Sequence, residues 1–270
     1  MRREITGFSN PLLKEVRALR EKKLRKRAGR FLAEGLRIMT EARDAGFLPE
    51  MVFRVKDREV HSLEIALETD VLAAGGDVVE TSADIMSKLS GKDNAQALVG
   101  VYRDHATELA DIDRATSPIW LVAQAMRDPG NLGTMLRTGD AIGAGGLILV
   151  DDCTDPFSVE AVRASMGAVF TQKIVQCRWE EFLPWLRGGA GQLVGTSLQT
   201  DVDYQAAAYD APCFILTGNE AQGLPDAYEA QCDLLVKMPM RGKADSLNAA
   251  VATAVMGYEV LNQFRHANAA

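Results

Sequence analysis

Val236-Lys-Met-Pro-Met-Arg-Gly-Lys-Ala-Asp-Ser-Leu-Asn248 is the stretch on which the fold turns, because an apolar strand ending at Met238 runs into a glycine loop and then a helix start. The helical pattern continues from Leu247 to Arg265. A loop in that position lies at the carboxyl end of a strand, where open α/β sheets bind their ligands. Asp245 or Ser246 would serve as the helix cap. Asn248, just inside the helix beside Ser246, is not explained by helix propensity.

Two segments upstream have the same form. The strand Phe214-Ile-Leu-Thr217 passes directly into Gly218-Asn-Glu-Ala-Gln-Gly223-Leu-Pro225, where glycines permit tight backbone and Glu220 is the one charge. A plain turn accounts for the glycines but does not require the acid. Further back, Asp128-Pro-Gly-Asn-Leu-Gly-Thr-Met-Leu-Arg-Thr138 places Asn131 where it could cap a helix, with Arg137 further along. Arg137 sits amid Leu132, Met135, Leu136 and Ile142, and a guanidinium near an apolar face wants a carboxylate or phosphate partner.

Around these segments strands and helices alternate. Strands are expected at Ile119–Ala125, Leu147–Val150, Ile174–Cys177, Leu193–Ser197, Cys213–Thr217 and Leu234–Met238. Helices are expected at Leu132–Ile142, Val159–Phe170 and Trp179–Leu186. Such alternation favours an α/β fold on a parallel sheet. A smaller α/β domain precedes it. There the spacing predicts helices at Pro11–Gly29, Phe31–Ala45 and Ser62–Ala74, and strands at Met51–Val55, around Val78 and at Ala97–Arg103. The expected division is 1–106, a polar and acidic linker at 107–117, and 118–270.

Composition excludes several classes. No apolar run approaches a membrane span, and no secretory leader is evident, so a soluble cytoplasmic protein is expected. Cys153, Cys177, Cys213 and Cys232 form no C-x-x-C pair, and His61, His105 and His266 stand apart, so no metal is expected. Gly143, Gly145 and Gly146 follow a helix rather than a strand, against a dinucleotide fingerprint. Gly218 and Gly223 have P-loop spacing, but Leu224 and Pro225 replace its phosphate-binding and magnesium-binding residues. The formal charge of -7 is unevenly spread: residues 1–30 hold eleven Lys and Arg against three Glu. That cluster is either a contact for phosphates or a solvated helix face.

Taken in order, N-x-G-x-x-x-R at Asn131 to Arg137, G-x-E-x-x-G at Gly218 to Gly223, and M-P-M-x-G-x-x-x-S-L-N at Met238 to Asn248 resemble the three motifs of the SpoU/TrmH family of RNA methyltransferases. Arg163-Ala-Ser-Met-Gly-Ala168 lies between the first and second, as in many members. The resemblance covers Ile119 to Gln263. Phe31-Leu-Ala-Glu-Gly35 and Gln96-Ala-Leu-Val-Gly100 look like parts of an L30e-like substrate-binding domain.

The resemblance implies a catalytic domain with a deep trefoil knot, a homodimer, and S-adenosylmethionine as cofactor. By the same resemblance, Leu198, Gly218, Met238 and Leu247 would contact the cofactor, and Arg137, Asn131, Glu220, Ser246 and Asn248 would form the catalytic set. The implied reaction is methylation of a ribose 2′-hydroxyl in RNA, with ribosomal RNA favoured over transfer RNA by the added N-terminal domain. A non-catalytic RNA-binding factor would not need all five polar residues. A conventional open-sheet methyltransferase would need a glycine-rich loop after its first strand, which is missing.

Overall fold

Strands that are apolar along their whole length need cover on both faces, and the chain provides it by alternating them with helices. The computed structural model describes residues 1–91 and 96–267. They fall into two compact units, Met1–His105 with Phe157–Thr171, and Ala106–Pro156 with Gln172–Ala270.

The first unit runs β1 (Arg2–Ile5), α1 (Pro11–Ala18), α2 (Lys22–Ala28), β2 (Arg30–Glu34), α3 (Leu36–Asp44), β3 (Met51–Val55), α4 (Ser62–Ala73), β4 (Asp77–Thr81), α5 (Ala83–Ser90) and β5 (Leu98–Arg103). Its sheet has the order β1-β4-β3-β5-β2, with β1, β4 and β3 parallel and β5 antiparallel to both β3 and β2. Leu32, Phe53, Val79, Ile85, Met86, Val99 and Val101 fill its core with Leu13, Val16 and Leu19.

Four features differ from the sequence expectation, the simplest being helix α5, which forms where no element was expected. The helix expected over Pro11–Gly29 is two helices, broken at Leu19–Glu21, and the buried Arg25 occupies the break. Its Nη1 donates to the carbonyls of Leu19 and Arg20 at 2.8 and 2.7 Å, satisfying acceptors that α1 leaves open at its end. The helix expected from Phe31 is instead strand β2, and Gly35, at φ 99°, turns the chain into α3. Last, β1 lies where no element was expected; Arg3 and Arg2 fix it through ion pairs to Asp77 and Glu68 at 2.7 and 2.9 Å.

The second unit follows with β6 (Ile119–Gln124), α6 (Pro129–Ile142) and β7 (Gly146–Val150). Helix α7 (Val159–Ser165) belongs to the first unit, packing on β2, where Arg163 Nη2 meets Glu34 at 2.6 Å. Then come β8 (Lys173–Cys177), α8 (Trp179–Arg187), β9 (Gln192–Thr196), β10 (Cys213–Thr217), α9 (Asp226–Glu229), β11 (Leu234–Val236) and α10 (Ala249–Ala267). The sheet is six-stranded and parallel throughout, in the order β11-β9-β10-β6-β7-β8.

Strand succession runs outward from β6 through β7 to β8, then resumes on the other side with β9 and β10. That reversal opens a crevice at the carboxyl ends of the strands. Residues 107–117 are held to this unit: the Arg114 guanidinium donates to the carbonyls of Trp185 and Leu186 at 2.6 and 2.8 Å and lies 4.1 Å from the Trp185 ring centroid.

Candidate active site

The three polar segments meet at the carboxyl ends of β6, β9, β10 and β11. Asp128 caps α6, its Oδ1 accepting from the Asn131 N–H at 2.7 Å, and Pro129 takes the first helical position. Asn131 is therefore not the cap, and its side chain is free for other work. Its Nδ2 donates to Glu220 Oε1 at 3.1 Å, and its Oδ1 accepts from Asn248 Nδ2 at 2.8 Å. One asparagine thus ties the turn after β10 to the start of α10.

Asn248 completes the arrangement from the other side. Its Oδ1 accepts from the N–H groups of Ala250 and Val251 at 3.0 and 3.2 Å, so it, rather than Asp245 or Ser246, caps α10. Deeper in the same contact, the hydroxyls of Thr217 and Thr253 share a hydrogen bond of 2.8 Å.

Glu220 accepts two backbone bonds besides the one from Asn131, from Asp128 N at 3.1 Å and Arg127 N at 3.2 Å. Burial pushes its carboxyl up, but the Asn131 amide and the N–H groups of Glu220, Asp128 and Arg127 outweigh this and hold it below the ordinary carboxylate value. An acid whose two oxygens are already engaged by donors stays ionised and is a poor proton acceptor at neutral pH. Its chemistry here is to fix one loop against another.

Asn219 carried no weight in the sequence, yet it organises the turn. Its Oδ1 accepts from Ala221 N and Gln222 N at 2.9 and 3.2 Å, while its Nδ2 donates to the carbonyl of Ala125 at 2.8 Å. Ala125 itself sits at φ 48°, a conformation costly for a residue with a side chain. No local signal marks this role, since the partner is far away in sequence.

Beside this network lies a cavity of about 350 Å³. Leu198, Gly218, Met238 and Leu247 line it, with Ser246 and Glu220. Gly218 has no room for a side chain, since an added Cβ would lie 2.3 Å from the backbone of Gly223. Arg137 is not drawn in. It projects from the exposed face of α6, opposite the buried Leu132, Met135, Leu136 and Ile142, and makes no hydrogen bond or ion pair among the described residues. The partner expected from its apolar neighbours is not needed, because those neighbours face the other way. Among the described residues no group of three or more His, Cys, Asp and Glu side chains is placed to hold a metal ion. No helix among them is long and apolar enough to cross a membrane.

Comparison with known proteins gives the family. Residues 10–100 match the MRM3-like substrate binding domain. The chain is 29% identical over 259 residues to the 23S rRNA (guanosine(2553)-2′-O)-methyltransferase RlmP of Bacillus subtilis, covering 96% of this chain and 99% of that one. It is 31% identical over 246 residues to a 23S rRNA (uridine(2479)-2′-O)-methyltransferase of Streptomyces viridochromogenes, covering 88% and 85%. The crystal structure of an AdoMet-bound rRNA methyltransferase from Sinorhizobium meliloti superposes with a TM-score of 0.89 at 38% identity, covering 98% of each chain. Residues 118–258 match the SpoU rRNA Methylase family, the stretch that holds every residue of the network and the cavity, and the chain belongs to that family.

Proposed function

We propose that the chain transfers a methyl group from S-adenosylmethionine to a ribose 2′-hydroxyl of ribosomal RNA. The observation that carries this reading is the chain Asn248–Asn131–Glu220, which joins the three motif segments beside a cavity at the strand ends. The relatives named above act on 23S rRNA by their names, and the Sinorhizobium protein holds AdoMet.

The residues present fit that cofactor. The cavity is of the size small-molecule sites use, and its wall is apolar at Leu198, Met238 and Leu247 while polar at Ser246 and Glu220. Leu198, Gly218, Met238 and Leu247 would hold the cofactor, largely through main chain. When bound, it supplies an electrophilic methyl on sulfur, which the hydroxyl oxygen takes as the sulfonium becomes a thioether.

The chain's own contribution is position and charge. Asn131, Glu220 and Asn248 keep the loops in one arrangement, and such positioning contributes much of the rate in a simple displacement. Ser246 lines the cavity beside Leu247 and offers a hydroxyl to the bound partners. The 2′-hydroxyl must lose its proton as the new C–O bond forms; a guanidinium, already protonated at neutral pH, does not accept it, so the proton passes to solvent water. Arg137, which projects from α6 outside the cavity lining, would act on RNA brought over that face, organising its phosphate and hydroxyl and stabilising the developing charge on oxygen. Its lack of an ion-pair partner leaves it available for that role.

Residues 1–106 act as the RNA substrate-binding domain, with 107–117 as linker to the methyltransferase domain at 118–270. The protein works in the cytoplasm, where its ribosomal substrate lies, as a homodimer with a trefoil-knotted catalytic domain. Exposed Val251 and Tyr258, seven residues apart on α10, and Leu247 just before it, support a partner on that side.

The test is transfer of tritiated methyl from S-adenosylmethionine to deproteinised 23S rRNA, followed by digestion to nucleosides. Label in a single 2′-O-methylnucleoside is the expected result. Label in transfer RNA alone, or in a base rather than a ribose, refutes the reading.

A further inference from the structure

The cations at the start of the chain do not make a uniform basic face. Arg2 and Arg3 pair with Glu68 and Asp77, Arg30 with Glu50 and Glu15, and Arg20 with Glu34. Arg25 is buried against main-chain carbonyls. These side chains are engaged within the domain, although Arg20 also lines the groove of Lys14 and Arg17.

Lys14 and Arg17 are different. They lie one turn apart on the exposed side of α1, neither has an ion-pair partner among the described residues, and they line a groove of about 700 Å³ with Lys88 of α5. Glu21 is the one acid lining it. Lys88 also fixes an aromatic ring in place, its Nζ lying 3.9 Å from the centroid of Phe8. Phe8 is 47% exposed, so it contributes little to the core and keeps about half of its surface open to solvent beside the Lys88 cation.

We infer that this groove docks single-stranded RNA, with Lys14, Arg17 and Lys88 on the phosphodiester backbone and the exposed part of the Phe8 ring stacked on one unpaired base. The inference rests on the RNA-methylating reading above. Basic side chains flanking an exposed aromatic are what a flexible polyanion with accessible base faces requires. Paired bases in a duplex are stacked on one another and offer Phe8 no such face.

The two kinds of interaction separate under salt. Binding of the full chain to fluorescein-labelled dodecauridylate is measured over a sodium chloride series. Replacing Lys14 and Arg17 together by Ala should flatten the slope of log K against log salt by about 1.4, at about 0.7 for each phosphate no longer neutralised. Lys14→Arg should restore its share of that slope. Phe8→Ala should weaken binding roughly 5- to 150-fold at fixed salt while leaving the slope unchanged. A 12-base-pair RNA duplex should show no dependence on Phe8.

The groove assignment is overturned if wild type does not bind dodecauridylate, if these variants bind it as wild type does, or if the duplex shows the same loss with Phe8→Ala. Each substituted side chain is exposed, so thermal melting by circular dichroism should be unchanged, which separates lost binding from lost folding. Methyl transfer to 23S rRNA by the wild-type preparation reports separately on the catalytic reading. Transfer with groove-independent binding sinks the groove alone, whereas groove-dependent binding without transfer sinks the enzyme assignment alone.

Discussion

A single methyl group at Gly218 should abolish most cofactor binding. The added carbon would lie 2.3 Å from the Gly223 carbonyl carbon, 2.4 Å from Leu224 N and 2.5 Å from Gly223 O, where ordinary van der Waals approach begins at 3.4 Å. The two limbs of the turn must therefore part by about 1 Å. They are tied by paired backbone bonds, Asn219 N to Gly223 O at 3.1 Å and Gly223 N to Asn219 O at 2.9 Å. Overpacking costs about 1–3 kcal/mol, and obstacles made of main chain have no rotamer to relax into, which points to the upper end. If the cavity wall bears it, about 3 kcal/mol is roughly a 150-fold loss of affinity. Isothermal titration of Gly218→Ala with S-adenosylmethionine measures this directly. Gly223→Ala is the control: at φ 69° it carries a left-handed strain of about 1–2 kcal/mol, but its Cβ would meet nothing within 4 Å. It should melt earlier yet bind cofactor nearly as wild type. A Gly218→Ala protein with wild-type affinity, or a larger binding loss in Gly223→Ala, would refute the reasoning.

Asn131→Ala removes the amide donor to Glu220 and the acceptor of Asn248, and should lower kcat/KM for methyl transfer by roughly ten- to a hundredfold; a change under twofold would remove Asn131 from the positioning network. Glu220 has a folded pKa below its ordinary 4.5, so its stabilisation is fully present above that value and lost as pH falls through the lower folded pKa. Wild-type melting temperature should accordingly drop below about pH 4.5 more steeply than that of Glu220→Gln, and parallel pH profiles would contradict this. Arg25→Met leaves two carbonyls at the end of α1 without their donor and should cost about 1–3 kcal/mol in urea unfolding, while the exposed Lys26→Met should change stability by less than about 0.5 kcal/mol.

Much of the second unit was legible because parallel strands are continuous apolar runs. Cys213–Thr217 was bounded correctly from Phe214-Ile-Leu alone, and the other strands of that sheet to within a residue or two. What periodicity could not supply was order: the reversal that sets β10 against β6 depends on connections rather than on any residue. In the first unit, Phe31-Leu-Ala-Glu is short enough to read as either helix or strand, and β5 decided it by pairing with β2. The capping role of Asn248 was missed because Ser246 and Asp245 are equally good caps, and the loop geometry chose between them. Asn219 and Asn131 act on partners roughly a hundred residues distant, so their identities were visible but their bonding partners were not. Arg137 shows the opposite error: apolar neighbours in sequence alternate around a helix, and the guanidinium took the solvent side.

The assignment is tested most directly in cells. A 2′-O-methyl group blocks alkaline cleavage at its own nucleotide, so ribosomal RNA can be mapped position by position in cells lacking the chain and in the same cells with it restored. One 23S rRNA nucleotide should be cleaved without the chain and protected with it. Identical protection at every ribosomal nucleotide in both would contradict it.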